Sequence, residues 1–163
     1  MLKCLHITFC LPFSLNRAIK KESSFAAIYT ERHGIFFMKT IRFSIWEDGE
    51  YTWPQGYGFV PFLTGYPHED NKERPCVLVV PGGAYYIASP TEAGIVALDF
   101  YHKGYQTFVL TYTTNLLGTI PLKDQPMRDL ARAVRIVRSR SKEYNIKPDC
   151  IATCGFSAGG HLT

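Results

Sequence analysis

Beyond residue 37, apolar and polar positions alternate between short apolar runs and amphipathic stretches of helical period. Ile41-Arg42-Phe43-Ser44-Ile45 switches at every residue, the period of a half-exposed strand. Residues 57–63 read as a second strand, which Pro61 confines to a sheet edge or a bulge. Residues 65–75 are polar and read as a surface loop, with His68 solvated in it. Cys76-Val77-Leu78-Val79-Val80 is apolar without interruption, as in a strand buried on both faces. Ser89-Pro90-Thr91-Glu92 has the form of a capping box with proline at the first helical position. The helix it opens gathers Ala93, Val96, Ala97, Phe100 and Tyr101 on one face and stops at Gly104. Residues 106–112 are a mostly apolar strand and residues 113–121 a loop. A second helix runs from about Asp124 to Asn145, ahead of Pro148, with Met127, Leu130, Ala131, Val134 and Val137 facing inward. Its Arg128, Arg132, Arg135, Arg138, Arg140 and Lys142 fall mainly elsewhere and read as a solvated outer face. Residues 150–154 form a last apolar strand, and a helix begins just after it.

Strand, helix, strand, helix, strand and helix start, with apolar strands, imply right-handed crossovers and a mostly parallel sheet covered by helices on both faces. The fold class is α/β. With 163 residues, 46% hydrophobic and 20% charged, the chain can bury one core of ordinary size. Its net charge of +4 comes largely from the Arg-rich helix and does not argue for nucleic acid. No window approaches the roughly 18 apolar residues of a membrane span. The five cysteines (Cys4, Cys10, Cys76, Cys150, Cys154) lack metal-ligand spacing, and three lie in strands expected to be buried. A cytoplasmic location is expected. Residues 1–37 do not match the rest of the chain: 2–13 is apolar but broken by Lys3, His6 and Pro12, without a clean cleavage site. They read as an upstream extension, with initiation at Met38 and the domain proper at 38–163; a genuine signal in them would mean secretion.

The chemistry concentrates at the last strand. Gly155-Phe156-Ser157-Ala158-Gly159 follows an apolar run and precedes a helix, the layout of a nucleophile elbow. Side chains at 155 and 159 would clash across so sharp a turn, which lifts the Ser157 hydroxyl clear of the sheet. The same pattern would also suit a plain strand–helix turn whose serine caps the helix. Pro81-Gly82-Gly83-Ala84 leaves the carboxyl end of another strand, where loops of open α/β sheets converge. Attack by a serine on an ester carbonyl creates an oxyanion that needs N–H donors. Ala158 supplies one, and Gly83, with Ala84 as a second, supplies the other.

Val79-Val80-Pro81-Gly82-Gly83-Ala84-Tyr85, Pro121-Leu122-Lys123-Asp124 with residues 129–135, and Cys154-Gly155-Phe156-Ser157-Ala158-Gly159-Gly160-His161-Leu162 resemble the α/β-hydrolase superfamily. More narrowly, they resemble its bacterial acetyl-xylan-esterase-like and feruloyl-esterase-like branch, over about residues 39–163. The resemblance implies a serine nucleophile at Ser157 and oxyanion donors at Gly83 and Ala158. Ala84 stands where that family usually has a third glycine, and Pro81 where lipase-type relatives carry histidine. The activity implied is hydrolysis of carboxylic esters through an acyl-enzyme, without metal or organic cofactor, on small acyl esters such as acetyl groups of plant polysaccharide. Tyr85, Tyr86 and Phe156 are candidates to line the acyl or sugar pocket, and equally suit plain packing. A prolyl-oligopeptidase-type peptidase shares the elbow, and a non-catalytic ligand-binding homologue shares the fold.

A serine hydroxyl needs a histidine held by a carboxylate, and in α/β hydrolases these come after it in the order Ser, Asp or Glu, His. Thr163 is six residues past Ser157. His161, on the first turn of the helix, is expected to point into the packing behind the elbow; His102, His33 and His6 do not recommend themselves as bases. The chain is therefore expected to be the N-terminal part of a longer hydrolase, inactive and poorly folded alone, with the open edge of its sheet apolar.

Overall fold

A computed structural model describes residues 23–31, 34–54 and 56–163, with side chains from Met38 onward. Residues 1–22 of the expected extension, with the apolar stretch 2–13, Cys4, Cys10 and His6, and also His33, lie outside the described residues. The sheet has six strands: β1 (Ser23–Glu31), β2 (Gly34–Ser44), β3 (Phe62–Tyr66), β4 (Arg74–Val80), β5 (Gln106–Thr111) and β6 (Ile146–Gly155), in the spatial order β1-β2-β3-β5-β4-β6. β1, β2, β3 and β5 pair antiparallel in succession, whereas β4 pairs parallel with both β5 and β6. β2 crosses Met38 without interruption.

The uninterrupted apolar run of β4 does what its pattern demands: successive side chains enter opposite faces, and both faces are covered. Cys76, Leu78 and Val80 join Leu63, Phe108 and Leu110 in a core beneath α2 (Gln125–Ser139). Val77 and Val79 join Tyr66 and Val109 beneath α1 (Gly94–His102). Gln106, fully buried at the head of β5, is satisfied at both ends of its amide: Oε1 accepts from His68 N–H at 2.9 Å and Nε2 donates to Tyr144 O at 2.7 Å.

Several elements differ from the sequence expectation. The second strand begins after Pro61, at Phe62, because residues 57 and 58 take positive φ and turn the chain. Tyr66 is part of that strand and Arg74 opens the next, so the polar loop between them is shorter than 65–75. His68 is not solvated: its ring stacks on Tyr101 with centroids 3.9 Å apart, its Nε2 is 3.2 Å from Tyr101 O, and burial lowers its pKa. Ser89 makes no side-chain capping bond, residues Pro90–Glu92 form a 3-10 turn, and α1 starts only at Gly94. α2 ends at Ser139, and its buried strip is Pro126, Asp129, Leu130, Ala133, Ile136 and Val137; Met127 is 56% exposed and Ala131 is exposed too. Arg132 and Arg140 are not on a solvated face but lie over the rings of Trp46 and Phe43, at 4.6 and 4.5 Å. Cys76 and Cys154 are buried, but Cys150 is exposed on β6, the last strand of the sheet order.

Candidate active site

β4 and β6 lie side by side in parallel, with Val80 opposite Gly155, so both chains leave the sheet at the same place. Phe156 N–H donates to Val80 O at 3.1 Å, one rung past the end of the ladder. The chain then turns at Ser157, with φ 47° and ψ −116°, and enters α3 (Ala158–Leu162). A backbone so sparsely populated by L-residues costs on the order of 1–3 kcal/mol, and the surrounding bonds hold it there: Gly159 N–H to Phe156 O at 2.7 Å, His161 N–H to Ser157 O at 3.0 Å. The flanking glycines are steric necessities. A Cβ on Gly159 would lie 2.6 Å from Pro81 O, and one on Gly155 would lie 2.6 Å from the carbonyl carbon of Gly159. Ser157 is exposed, and its hydroxyl makes no capping bond to α3. The helix-capping role that the motif also allows is not taken up.

The loop after β4 reaches this turn. A Cβ on Gly82 would sit 2.9 Å from Ser157 Cβ and 2.7 Å from Phe156 O, so only glycine lets the two loops touch. Three bonds fix its path: Gly82 N–H to Glu92 Oε2 at 2.8 Å, Ser89 N–H to Gly82 O at 2.9 Å, and Tyr112 Oη–H to Pro81 O at 2.8 Å. Tyr112 is fully buried, and that burial pushes its pKa up to about 12, so its hydroxyl stays a donor at neutral pH. Gly83, Ala84 and Tyr85 then succeed one another at φ 121°, 52° and 65°. Among the described residues, no acceptor is bonded to the N–H of Gly83, Ala84 or Ala158, while that of Gly82 is occupied by Glu92.

Tyr85 and Tyr86 line a cavity of about 420 Å³ together with Ala84, Asn115 and residues 118–122. Phe156 does not join them: it packs on the cluster of Tyr66, Val77 and Val79. His161 is exposed rather than buried behind the elbow, with Nδ1 2.6 Å from Tyr85 Oη. His102 is exposed at the far end of α1.

Four residues of this region escape sequence reasoning. Glu92 looks like the acidic partner of a capping box, and only the fold turns it toward Gly82. Tyr112 reads as one more apolar strand residue. Asn115 clamps the loop after β5, its Oδ1 accepting from Gly118 N–H at 3.0 Å and its Nδ2 donating to Ile120 O at 2.5 Å. Asp129, fully buried, accepts four bonds: from Trp46 Nε1 (2.8 Å), Gln125 Nε2 (2.9 Å), Thr113 N (2.8 Å) and Thr113 Oγ1 (2.6 Å). An aspartate one turn before Ala133 and beside Leu130 on an amphipathic helix is the sequence signal for it. Among the described residues, no group of three or more His, Cys, Asp or Glu is placed to hold a metal ion, and no helix is long and apolar enough to cross a membrane.

A family model described as BD-FAE matches residues 65–163. The chain is 42% identical over 125 residues to endo-1,4-beta-xylanase B of Butyrivibrio fibrisolvens, a match covering 77% of this chain and 20% of the relative. It is 37% identical over 97 residues to the acetylxylan esterase of Xylanibacter ruminicola, covering 58% and 19%. Among solved structures, the acetyl ester-xyloside bifunctional hydrolase from Caldicellulosiruptor lactoaceticus superposes with a TM-score of 0.67 at 36% identity, over 74% of this chain and 44% of that one. The chain thus spans about a fifth of the length of the curated relatives it matches.

Proposed function

The chain belongs to the BD-FAE family, with an α/β-hydrolase fold, and on that premise we propose that it carries the nucleophile and oxyanion hole of a carboxylic ester hydrolase. One observation supports this above all: Ser157 is held at positive φ with an uncapped, exposed hydroxyl, against a loop whose free N–H groups leave the adjacent strand. Ser157 Oγ attacks the ester carbonyl carbon as its proton passes to a base. The N–H groups of Ala158, Gly83 and Ala84 receive the negative oxygen, the alcohol leaves with a proton, and water releases the acid from the acyl-enzyme. Fixed donors serve this step well because they need no reorganisation as charge develops.

The base is not among the residues described: no imidazole here is hydrogen-bonded to the Ser157 hydroxyl. Histidine and its carboxylate belong to other parts of the working enzyme, and the 163 residues alone should show no turnover. Acetyl or similarly small acyl esters of plant polysaccharide are the substrate class, in keeping with the acetylxylan esterase and the acetyl ester-xyloside hydrolase it resembles.

The test is labelling of the complete natural polypeptide by a fluorophosphonate, with hydrolysis of acetylated xylo-oligosaccharide measured in parallel. Modification at Ser157, lost together with turnover in Ser157→Ala, is the expected result. Binding of the oligosaccharide with neither labelling nor turnover would instead make the protein a ligand-binding homologue. Faster cleavage of an aminoacyl amide than of the acetyl ester would make it a peptidase.

A further inference from the structure

The elbow and the oxyanion loop are joined by a contact that the acyl-transfer chemistry does not itself call for. Tyr85 Oη and His161 Nδ1 are 2.6 Å apart, across 76 positions of sequence. His161 lies four residues past Ser157, and its own N–H closes the elbow on Ser157 O at 3.0 Å. Tyr85 is the third residue of the positive-φ run whose first two members, Gly83 and Ala84, carry the unbonded N–H groups. From both ends, then, the bridge is anchored next to the donors.

Tyr85 is held on two further sides. Its carbonyl accepts from Asn115 N–H at 2.9 Å, and its ring meets Tyr112 edge-on with centroids 6.3 Å apart. Tyr112 in turn holds the carbonyl of Pro81. Within the loop, Tyr86 N–H donates to Gly83 O at 3.0 Å, and the Tyr85 hydroxyl ties the segment to α3. Burial raises the Tyr85 pKa, so the hydroxyl keeps its proton; with the ring proton of His161 on Nε2, Nδ1 accepts it. Tyr85 is half-buried and His161 exposed, and a bridge near the surface adds little to global stability. What it adds is geometry. Left-handed φ at Ala84 and Tyr85 is costly, and a loop released from α3 would relax toward commoner conformations that turn the Gly83 and Ala84 N–H groups away.

Building on the hydrolase reading, we infer that Tyr85 and His161 are positioning residues that hold the Gly83 and Ala84 N–H groups at the oxyanion, His161 acting as a structural acceptor and not as the base.

The experiment compares Tyr85→Phe, His161→Ala, the double variant and His161→Asn in the complete natural polypeptide, on a small acetyl ester. Displacing donors by a fraction of an ångström to one ångström costs roughly tenfold to a hundredfold in rate. The two single variants should each lose about that much in kcat, with KM changed by less than about threefold. The double variant should lose no more than either single one, because both remove the same bridge. Asparagine places an amide oxygen near the position of Nδ1, so His161→Asn should recover most of the rate. The 15N resonance of His161 Nδ1 should move in Tyr85→Phe, whose fold and urea midpoint stay unchanged. Full kcat in Tyr85→Phe and His161→Ala, additive losses, or an unmoved Nδ1 resonance in an active enzyme would overturn the assignment alone. A wild-type polypeptide that neither labels at Ser157 nor turns over would overturn the hydrolase reading and this one with it.

Discussion

Ser157 and Ala84 are both L-residues held at positive φ, at 47° and 52°, on the two loops that meet at the ends of β4 and β6. For Ala84 the cost is unnecessary to packing, because its side chain is exposed. Left-handed backbone costs an L-residue about 1–2 kcal/mol, and glycine's greater entropy in the unfolded chain returns about half of that. Ala84→Gly should therefore raise stability by about 0.5–1 kcal/mol, read as a higher urea midpoint. Gly159→Ala should act the other way. Its Cβ would be forced to 2.6 Å from Pro81 O, with Val80 O nearer still, against the backbone at the end of β4, which cannot yield. Overpacking of this kind costs about 2–3 kcal/mol, and the Gly82–Ser157 contact should open with it. An unchanged midpoint in Gly159→Ala would mean that the elbow is looser than this geometry. At Asp70, the paired Arg74 guanidinium, at 2.5 and 2.7 Å, holds the carboxyl well below its ordinary 3.8. Because the folded value is the depressed one, this pairing stabilises above pH 3.8 and is lost as the pH falls through the lower value. An NMR titration of Asp70 should return toward the ordinary value in Arg74→Gln.

At the level of elements, α2 is fastened to the sheet by Asp129 as much as by its apolar strip. The carboxylate reaches the indole of Trp46 beyond β2 and the backbone of Thr113 beyond β5, and Thr113 Oγ1, donating to Asp129, accepts from Tyr51 Oη at 2.9 Å. Burial pushes the Tyr51 pKa up to about 12, so this chain of donors stays intact at neutral pH. Asp129→Ala strips the partner from a buried N–H and a buried hydroxyl, at a cost of about 3 kcal/mol or more. Because Thr113 begins the loop that carries Asn115, the variant should also disturb the cavity beside Ala84, seen as changed amide shifts at 115–122. Asp129→Asn keeps an acceptor for one pair of donors and turns an NH2 toward the other pair, so it should fall between wild type and alanine. Equal stability of all three would show the network to be dispensable.

For the molecule as a whole, the covering of the sheet decides which groups solvent reaches. Cys76 lies between β5 and β6, fully covered, and burial pushes its thiol pKa up; Cys150 is exposed on β6. Site-resolved mass spectrometry after brief maleimide treatment should find Cys150 modified rapidly and Cys76 only on unfolding. Fast labelling of Cys76 in buffer would mean that the β4–β6 pairing opens in solution. The same topology brings the loops after β4 and β6 together: the two strands are neighbours despite the 65 residues between Val80 and Ile146, because β5 lies on the other side of β4.

Much of this was written in local pattern. Period-two alternation at 41–45, the unbroken apolar run at 76–80 and the glycine at 155, whose Cβ would meet Gly159 across the turn, are constraints that one segment imposes on itself, so they survive whatever surrounds them. The alternation of strand and helix gave the α/β class for the same reason. Tertiary structure decided the rest, wherever a residue's partner lay far along the chain. Glu92 could serve its own turn or Gly82, and His161 could face the core or Tyr85. α2 could present Met127 or Asp129, which lie roughly 160° apart around the helix, and a buried carboxylate with four donors settles the choice. Sequence periodicity fixes that a helix has an inner face; only the groups waiting on the sheet determine which residues occupy it.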